Sequence, residues 1–536
     1  MKRLYALLLG GLAVLPAFSQ WNTNATPTCI YDATGHGDYY ACNPKAVRTA
    51  DKKTWISWRT SGRKEVNGIG RGAVCTYLQL LDKDGVPQFS EPIQVNDHVT
   101  PSWWSEYGLQ VASDGSAIVT VADGRAEEAF MSDDQDIVYH FSPAIYKIDQ
   151  QGNFLWGEDG IAYTEYTNAP YTNCYVVGDD TYFIFYNTAE DGTTVSDDMS
   201  HIGVFIQRIN SDGTEGWDTP MPWADEFIQP QIVPSLDGSM LLFDKSPEGS
   251  LVHRLNRDFD ELWGDPVVYD DHKYDGYAMN HYCIAPDGKG GAAVAFVRNV
   301  GQFSHNIRVQ HINADGSLGF GLTGLDAANT EDNDYDYCGI AVNPKTEEIL
   351  VDFESQLPNS YDVMLQKFSY DGDYLFDEMG LSIASKDLNN AYAFGKVGCG
   401  AVGESDWIVI YRDVQAWVNA SFIIRRYDSE GNRIWTRTIG REIDPNNISY
   451  FVEDEATYLI YRETRENKEP GIKILRIGND GSYNVTYPDD LGVEQVTPTA
   501  SGAAQYFDAS GRQLPKAQKG LTIVRKSDGT VEKHLR

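Results

Sequence analysis

The sequence predicts an all-β fold: a β-propeller of eight four-stranded blades, with seven as the alternative count, followed by a small C-terminal β module. Three observations lead there. One turn-centred pattern recurs eight times, a second hairpin signal stands upstream of each copy, and no stretch of helical period lies between them. The copies read YLQLLDKDGVPQF, AIYKIDQQGNFLW, FIQRINSDGTEGW, LVHRLNRDFDELW, RVQHINADGSLGF, MLQKFSYDGDYLF, IIRRYDSEGNRIW and KILRIGNDGSYNV. Their turn positions are Gly85, Gly152, Gly213, Phe259, Gly316, Gly372, Gly431 and Gly481, spaced by 46 to 67 residues. Four residues on stand Phe89, Trp156, Trp217, Trp263, Phe320, Phe376, Trp435 and Val485. Only the fourth copy lacks the glycine, and only the last lacks the aromatic ring. Asx-Gly turns supply the positive φ that tight hairpins need.

The upstream signals, among them VASDGSAIVTVAD, VVGDDTYFIFYN and VGESDWIVIYR, read strand, polar turn, strand. Runs such as YFIFY and WIVIY are apolar at successive positions, which suits a strand buried on both faces. A string of unrelated β-sandwich domains would not repeat one turn.

Taken in chain order, residues 1–19 read as a signal peptide. Lys2 and Arg3 form a charged start, Leu4 to Leu15 is mostly apolar, and Ala17-Phe18-Ser19 fits a cleavage site. That run is too short to span a bilayer comfortably, and no later segment is long enough, so no transmembrane segment is expected. Residues 20–44 form a lead-in, 45–490 the propeller, 491–504 a linker and 505–536 a tail. Seven cysteines in an exported chain leave at least one unpaired. Cys29 and Cys42 are close enough in sequence to be considered for a bridge. Cys174, Cys283, Cys338 and Cys399 hold matching repeat positions near the start of a blade's first strand, facing the axis. Without Cys-x-x-Cys or Cys-plus-His spacing they read as packing thiols, and no metal site is expected.

The spacing D-x-x-G-x-x-x-W, seen at Asp149, Gly152 and Trp156, resembles the tryptophan-docking repeat of quinoprotein (PQQ-like) propellers. The resemblance implies that Trp156, Trp217, Trp263 and Trp435 each pack against a neighbouring blade. It does not imply redox chemistry, because fold does not fix function and the adjacent cysteine pair of quinoprotein dehydrogenases is missing.

In an up-and-down blade, successive connections alternate between two faces. The short hairpin turns share one face, and the long segments TGHGDYYACNP, VTPSWWSEYG, TEYTNAPYTNCY, YDDHKYDGYAMNHYC and TEDNDYDYCG share the other. Aromatic planes beside carboxylates and amides suit sugar rings, whose C–H faces stack while hydroxyls need fixed partners. Candidate ligand-binding residues on this rim are Trp103, Trp104, Tyr107, Tyr274, Asp275, Tyr277, Tyr335, Asp336 and Tyr337. His140, His201 and His305, with Asp136 and Asp198, are the candidates if the rim performs acid–base chemistry. No cofactor is indicated, although the carboxylate-rich loops leave room for Ca²⁺.

The net charge of −35 argues against nucleic acid as a partner, since phosphate binding needs clustered Lys and Arg. There is no G-x-S-x-G, H-E-x-x-H or P-loop. The tail runs against the overall charge, with seven Lys or Arg and three Asp or Glu in 32 residues. Its segments YFDASGRQL and KGLTIVRKSDGTVEKHLR suggest three short strands. Tyr506, Asp508, Gly511, Arg512, Lys519, Gly520, Leu521, Ile523, Val524, Arg525, Asp528, Gly529 and Lys533 resemble the C-terminal sorting module of Bacteroidetes-type secreted proteins. That resemblance implies recognition by a type IX secretion apparatus. The expected function is an exported, non-catalytic binding module at the envelope or outside the cell, holding a glycan or other extracellular polymer. The alternatives are a polysaccharide lyase or glycoside hydrolase, or a protein-binding scaffold.

Overall fold

The computed structural model describes residues 28–31, 40–66, 69–96, 98, 106–125, 141–188, 202–225, 228–246, 249–271, 282–299, 305–328, 338–357, 360–387, 394–416, 419–463, 471–482, 505–507, 513–514, 521–525 and 531–535. Among them every regular element is a β-strand, and no helix is long and apolar enough to cross a membrane. The chain divides into two compact units, Met1–Val485 and Thr486–Arg536.

The first unit is a propeller of eight antiparallel four-stranded blades. Six of them are separate sheets that follow in chain order from Tyr40 to Asp387. Blades 7 and 8 are one seven-stranded sheet, because the strand Arg433–Val452 is the outer strand of one and the inner strand of the other. Its pairing to Ala456–Glu463 breaks register between Ile443 and Ile448. Pro445, which has no N–H to give to a ladder, falls in that break.

Blade 8 takes its outer strand from the other end of the chain. Thr28–Tyr31, part of the expected lead-in, pairs antiparallel with Ile472–Gly478 and closes the ring. The side chains of Ile30 and Tyr31 are buried. Tyr31 reaches blade 1, its ring centroid lying 5.3 Å from Trp58 and 6.1 Å from Tyr77. This arrangement separates Cys29, exposed on blade 8, from Cys42, buried on the first strand of blade 1, and no disulfide joins them. The considered bridge is therefore absent.

The core lies between blades, so middle strands are buried on both faces. Ala117–Asp123 and Ser142–Ile148 are buried at all seven of their positions. Between blades 1 and 2, Trp55, Leu78 and Leu80 meet Leu109, Val119 and Tyr146. Three of the four repeat-position thiols, Cys174, Cys338 and Cys399, belong to such clusters. They pack between blades.

The eight turn positions all have positive φ, from 68° at Phe259 to 90° at Gly372. The repeat has a second reason for glycine, which is space. A Cβ on Gly213 would sit 2.5 Å from Cδ1 of Trp156, the aromatic of the preceding blade. The same approach brings Trp263 to Gly316, Phe320 to Gly372, Phe376 to Gly431 and Trp435 to Gly481. The indole Nε1 of Trp156, Trp263 and Trp435 donates to the carbonyl of Ser211, Ala314 and Asn479, at 3.4, 3.3 and 2.9 Å. Blade 4 inverts the device. Phe259 sends its ring from the turn, with centroids 5.3 Å from both Tyr182 and Trp217. The equivalent carbonyl, of Arg257, accepts instead from the Tyr182 hydroxyl at 2.9 Å and Arg208 Nη1 at 3.1 Å.

The second unit forms its own four-stranded sheet. Its strands Gln505–Phe507, Gln513–Leu514, Leu521–Arg525 and Val531–Leu535 stand in the spatial order second, first, third, fourth. The expectation of three strands missed the two-residue strand Gln513–Leu514, which is paired with Tyr506 and Phe507.

Candidate ligand-binding site

The inner strand of blade 3, Tyr171–Val177, shows how a blade builds a wall. Side chains alternate along a strand, and here Thr172 and Cys174 are buried, while Tyr171 and Tyr175 are half-buried and Asn173 is exposed. Tyr171 pairs across the sheet with Tyr186, and Asn173 with Ile184. These side chains line one side of a shallow pocket at the end of the blade where its inner strand begins. This is the face of the long connections.

Two neighbours complete the pocket. Glu106, just before the inner strand of blade 2, is tied in place by its N–H to Pro170 O at 2.8 Å, and its carbonyl accepts from Thr172 Oγ1 at 3.2 Å. From the far side come Ile228, Gln229, Pro230 and Gln231, which lead into blade 4. The Tyr282 hydroxyl donates to Gln229 O, and Gln231 Nε2 donates to Tyr282 O at 3.5 Å. The pocket is small, about 80 Å³, and open to solvent on one side.

The wall is internally braced. Asn173 Nδ2 donates to the Tyr175 hydroxyl at 3.2 Å, and Asn173 Oδ1 accepts from Cys174 N at 2.9 Å. Tyr175 also reaches Pro230 O at 3.4 Å. Burial, and then the nearby Glu106 carboxylate, raise the Tyr171 phenol above its ordinary range. Tyr175 is raised too, by burial first, then by Cys174 and Glu106. Both phenols therefore stay neutral hydrogen-bonding groups, and the pocket carries aromatic planes, amides and one carboxylate.

Of the residues marked on the sequence, Tyr107 is fully placed. It is only 2% exposed. Lys45 Nζ and Arg59 Cζ both lie 4.8 Å from its ring centroid. Its hydroxyl donates to Asn43 O at 2.6 Å and accepts from Ser57 Oγ at 3.0 Å. Tyr107 thus braces blade 1 against blade 2 and offers no open ring to a ligand. His305 opens the third strand of blade 5, His305–Ile312, where its backbone pairs with Asn299. Trp103, Trp104, Asp136, His140, Asp198, His201, Tyr274, Asp275, Tyr277, Tyr335, Asp336 and Tyr337 lie outside the described residues. Gly152, Trp156, Trp217, Trp263 and Trp435 hold the docking positions given above. Among the described residues no three His, Cys, Asp or Glu side chains are grouped to hold a metal ion.

Tyr171, Asn173 and Tyr175 fall in the rim segment TEYTNAPYTNCY, whereas Ile184, Phe185 and Tyr186 belong to YFIFY, a run that reads as a buried strand. The available signal was the alternation Tyr171-x-Asn173-x-Tyr175. A second site is buried and structural. Asp352, on the second strand of blade 6, is fully buried and seated so closely on Gly339 that a Cβ there would lie 2.3 Å from its Oδ1. Neither carboxyl oxygen has a well-formed hydrogen bond, and the opposing effect of the nearby Cys399 thiol and Gly398 amide is smaller than that of burial. Burial therefore pushes Asp352 up to about 7.

No protein-family model matches the chain, and no curated protein matches it. Among solved structures it is similar to a protein of unknown function from Dyadobacter fermentans DSM 18053, at 10% identity over 83% of this chain and 97% of that one, with a TM-score of 0.37. It is similar to polysaccharide lyase Uly1, at 9% identity over 70% and 89%, with a TM-score of 0.37. A third is the β-propeller domain of the Trilobed protease from Pyrococcus furiosus, at 10% identity over 73% and 99%, with a TM-score of 0.36. Identities this low leave function to be argued from the site.

Proposed function

We propose that this chain is an exported, non-catalytic binding module that holds a glycan or another extracellular polymer at the loop-rich face of its propeller. The observation that carries this reading is the blade 3 pocket. Tyr171, Tyr175 and Tyr186 offer aromatic surface, while Asn173, Gln229, Gln231 and Glu106 offer hydrogen-bonding groups within the same depression. Stacking surface beside fixed polar groups is what a pyranose requires. A shallow, open pocket suits one unit or substituent of a chain that continues across the surface.

Export is part of the same proposal. Residues 1–19 have the pattern of a signal peptide, and the basic tail supports an address separate from the acidic ring. Deletion of residues 486–536 is expected to leave the propeller's melting temperature unchanged and to abolish surface display in a host with type IX machinery. Normal display of the truncated chain would count against the address.

The test of binding is retention of the full chain on a panel of microbial, plant and host polysaccharides, with the supernatant followed by mass spectrometry. Retention of particular polymers without shortened or unsaturated products is expected, and chelation by EDTA then reports any part played by Ca²⁺. New oligosaccharide products would replace the binder with an enzyme. Retention of none would end the polymer reading.

A further inference from the structure

The charge around the blade 3 pocket selects among polymers. Resting on the binding reading above, we propose that the pocket takes an amine-bearing sugar, with the Glu106 carboxylate pairing to the ammonium group of a hexosamine.

Glu106 is the one charged side chain of the pocket lining. It is exposed, and among the described residues its carboxylate has neither a hydrogen bond nor an ion pair. Its backbone, in contrast, is fixed at both N–H and carbonyl, so the side chain leaves from a rigid point. The nearest cations of blade 1 are held by other partners, although the buried Arg59 guanidinium does feel the Glu106 charge. Lys45 and Arg59 lie against the Tyr107 ring, and Arg59 is fully buried. The carboxylate's field reaches across the pocket, because it helps raise the phenols of Tyr171 and Tyr175. No lining side chain is a cation that would receive a uronate or sulfate, and such a group would meet the Glu106 carboxylate. Neutral sugars fit without charge penalty. An ammonium group gains a charge-assisted hydrogen bond to Glu106, and the tyrosine faces attract a cation as well. A small, open pocket suits one such substituent with the sugar ring resting above it.

The experiment is calorimetric titration of the full chain, in slightly acidic buffer of low ionic strength, with four tetrasaccharides of one linkage type. They are the glucosamine, N-acetylglucosamine, glucose and galacturonate tetramers, each titrated into wild type and Glu106→Gln. A net charge of −35 attracts any polycation, so the variant separates local pairing from bulk attraction. Wild type is expected to bind the glucosamine tetramer about tenfold more tightly than its acetylated counterpart, and the uronate most weakly. Glu106→Gln is expected to erase that gap between the amine and the acetylated tetramer. Added salt is expected to narrow the gap in wild type, since the pocket is open to screening.

A gap that survives in Glu106→Gln would mean the amine is held by overall acidity, and it would overturn the proposal. Equal affinity for the amine and acetylated tetramers, or preference for the uronate, would overturn the amine assignment while leaving saccharide binding in place. Binding of none of the four would remove the pocket from the binding account, and this proposal with it.

Discussion

Two residues show how this fold uses exceptions to its own rule. Phe259 stands where the other repeats have glycine and holds a φ of 68°. A left-handed conformation costs a residue with a Cβ on the order of 1 kcal/mol. The ring offsets that cost by filling the space between Tyr182, Trp217 and Trp223. Two variants separate the terms. Phe259→Ala keeps the strain and loses the packing, whereas Phe259→Gly loses the packing and relieves the strain. Both are expected to lower stability, alanine by about 2 kcal/mol and glycine by about 1 kcal/mol less, as read from urea midpoints. Equal loss in both would show that the turn is unstrained. Asp352 is the second exception, a carboxyl that burial holds neutral well above its ordinary 3.8. The folded chain keeps a proton that the unfolded chain has already released. This contribution to stability is therefore intact below about pH 4 and is lost as pH rises to about 7, on the order of 4 kcal/mol across that window. Asp352→Asn is expected to remove this slope from the pH profile of chemical denaturation and to stabilise the protein at pH 8. An unchanged slope would contradict the assignment.

At the scale of elements, what the sequence revealed follows from what a repeat can encode. The Asx-Gly turn and the aromatic four residues on are local signals, and each has a physical reason in the structure, positive φ and the close approach of the preceding blade. Eight copies were thus readable as eight blades. Ring closure was not. The strand Thr28–Tyr31 carries no repeat signature, and its partner Ile472–Gly478 lies more than 400 residues away. Nor did the sequence show that Arg433–Val452 serves two blades, because turn-based counting looks for a linker between them. Closure gives a direct prediction. Deleting residues 28–31 exposes a sheet edge and the faces of Trp58 and Tyr77. The variant is expected to melt at least several degrees lower and to be cut within blade 8 under limited proteolysis, where the full chain resists. Unchanged melting and cleavage would mean that the ring holds without its closing strand.

Across the whole molecule, the propeller is a rigid frame that carries different side chains to one face. The alternation along Tyr171–Val177 decides which side chains point into the pocket and which pack against blade 2. The segment was readable as rim, but its site residues depend on partners distant in sequence: Glu106 from one neighbouring blade and Gln229–Gln231 from the other. No local pattern brings those three segments together. Tyr107 shows the converse, an aromatic in a rim segment whose ring is already occupied by two cations. The tail, a separate unit with its own sheet, adds an opposite charge without entering that account.

The account rests on a polymer being held at the blade 3 pocket. The measurement that tests it most directly is calorimetric titration of a retained polymer into wild type and the double variant Tyr171→Ala/Tyr186→Ala, with melting curves as a check on folding. Losing two aromatic platforms is expected to weaken binding by at least about tenfold, at roughly 1 kcal/mol each, with melting little changed. Affinity within about twofold of wild type in a folded variant would contradict the account and move the binding surface off this pocket.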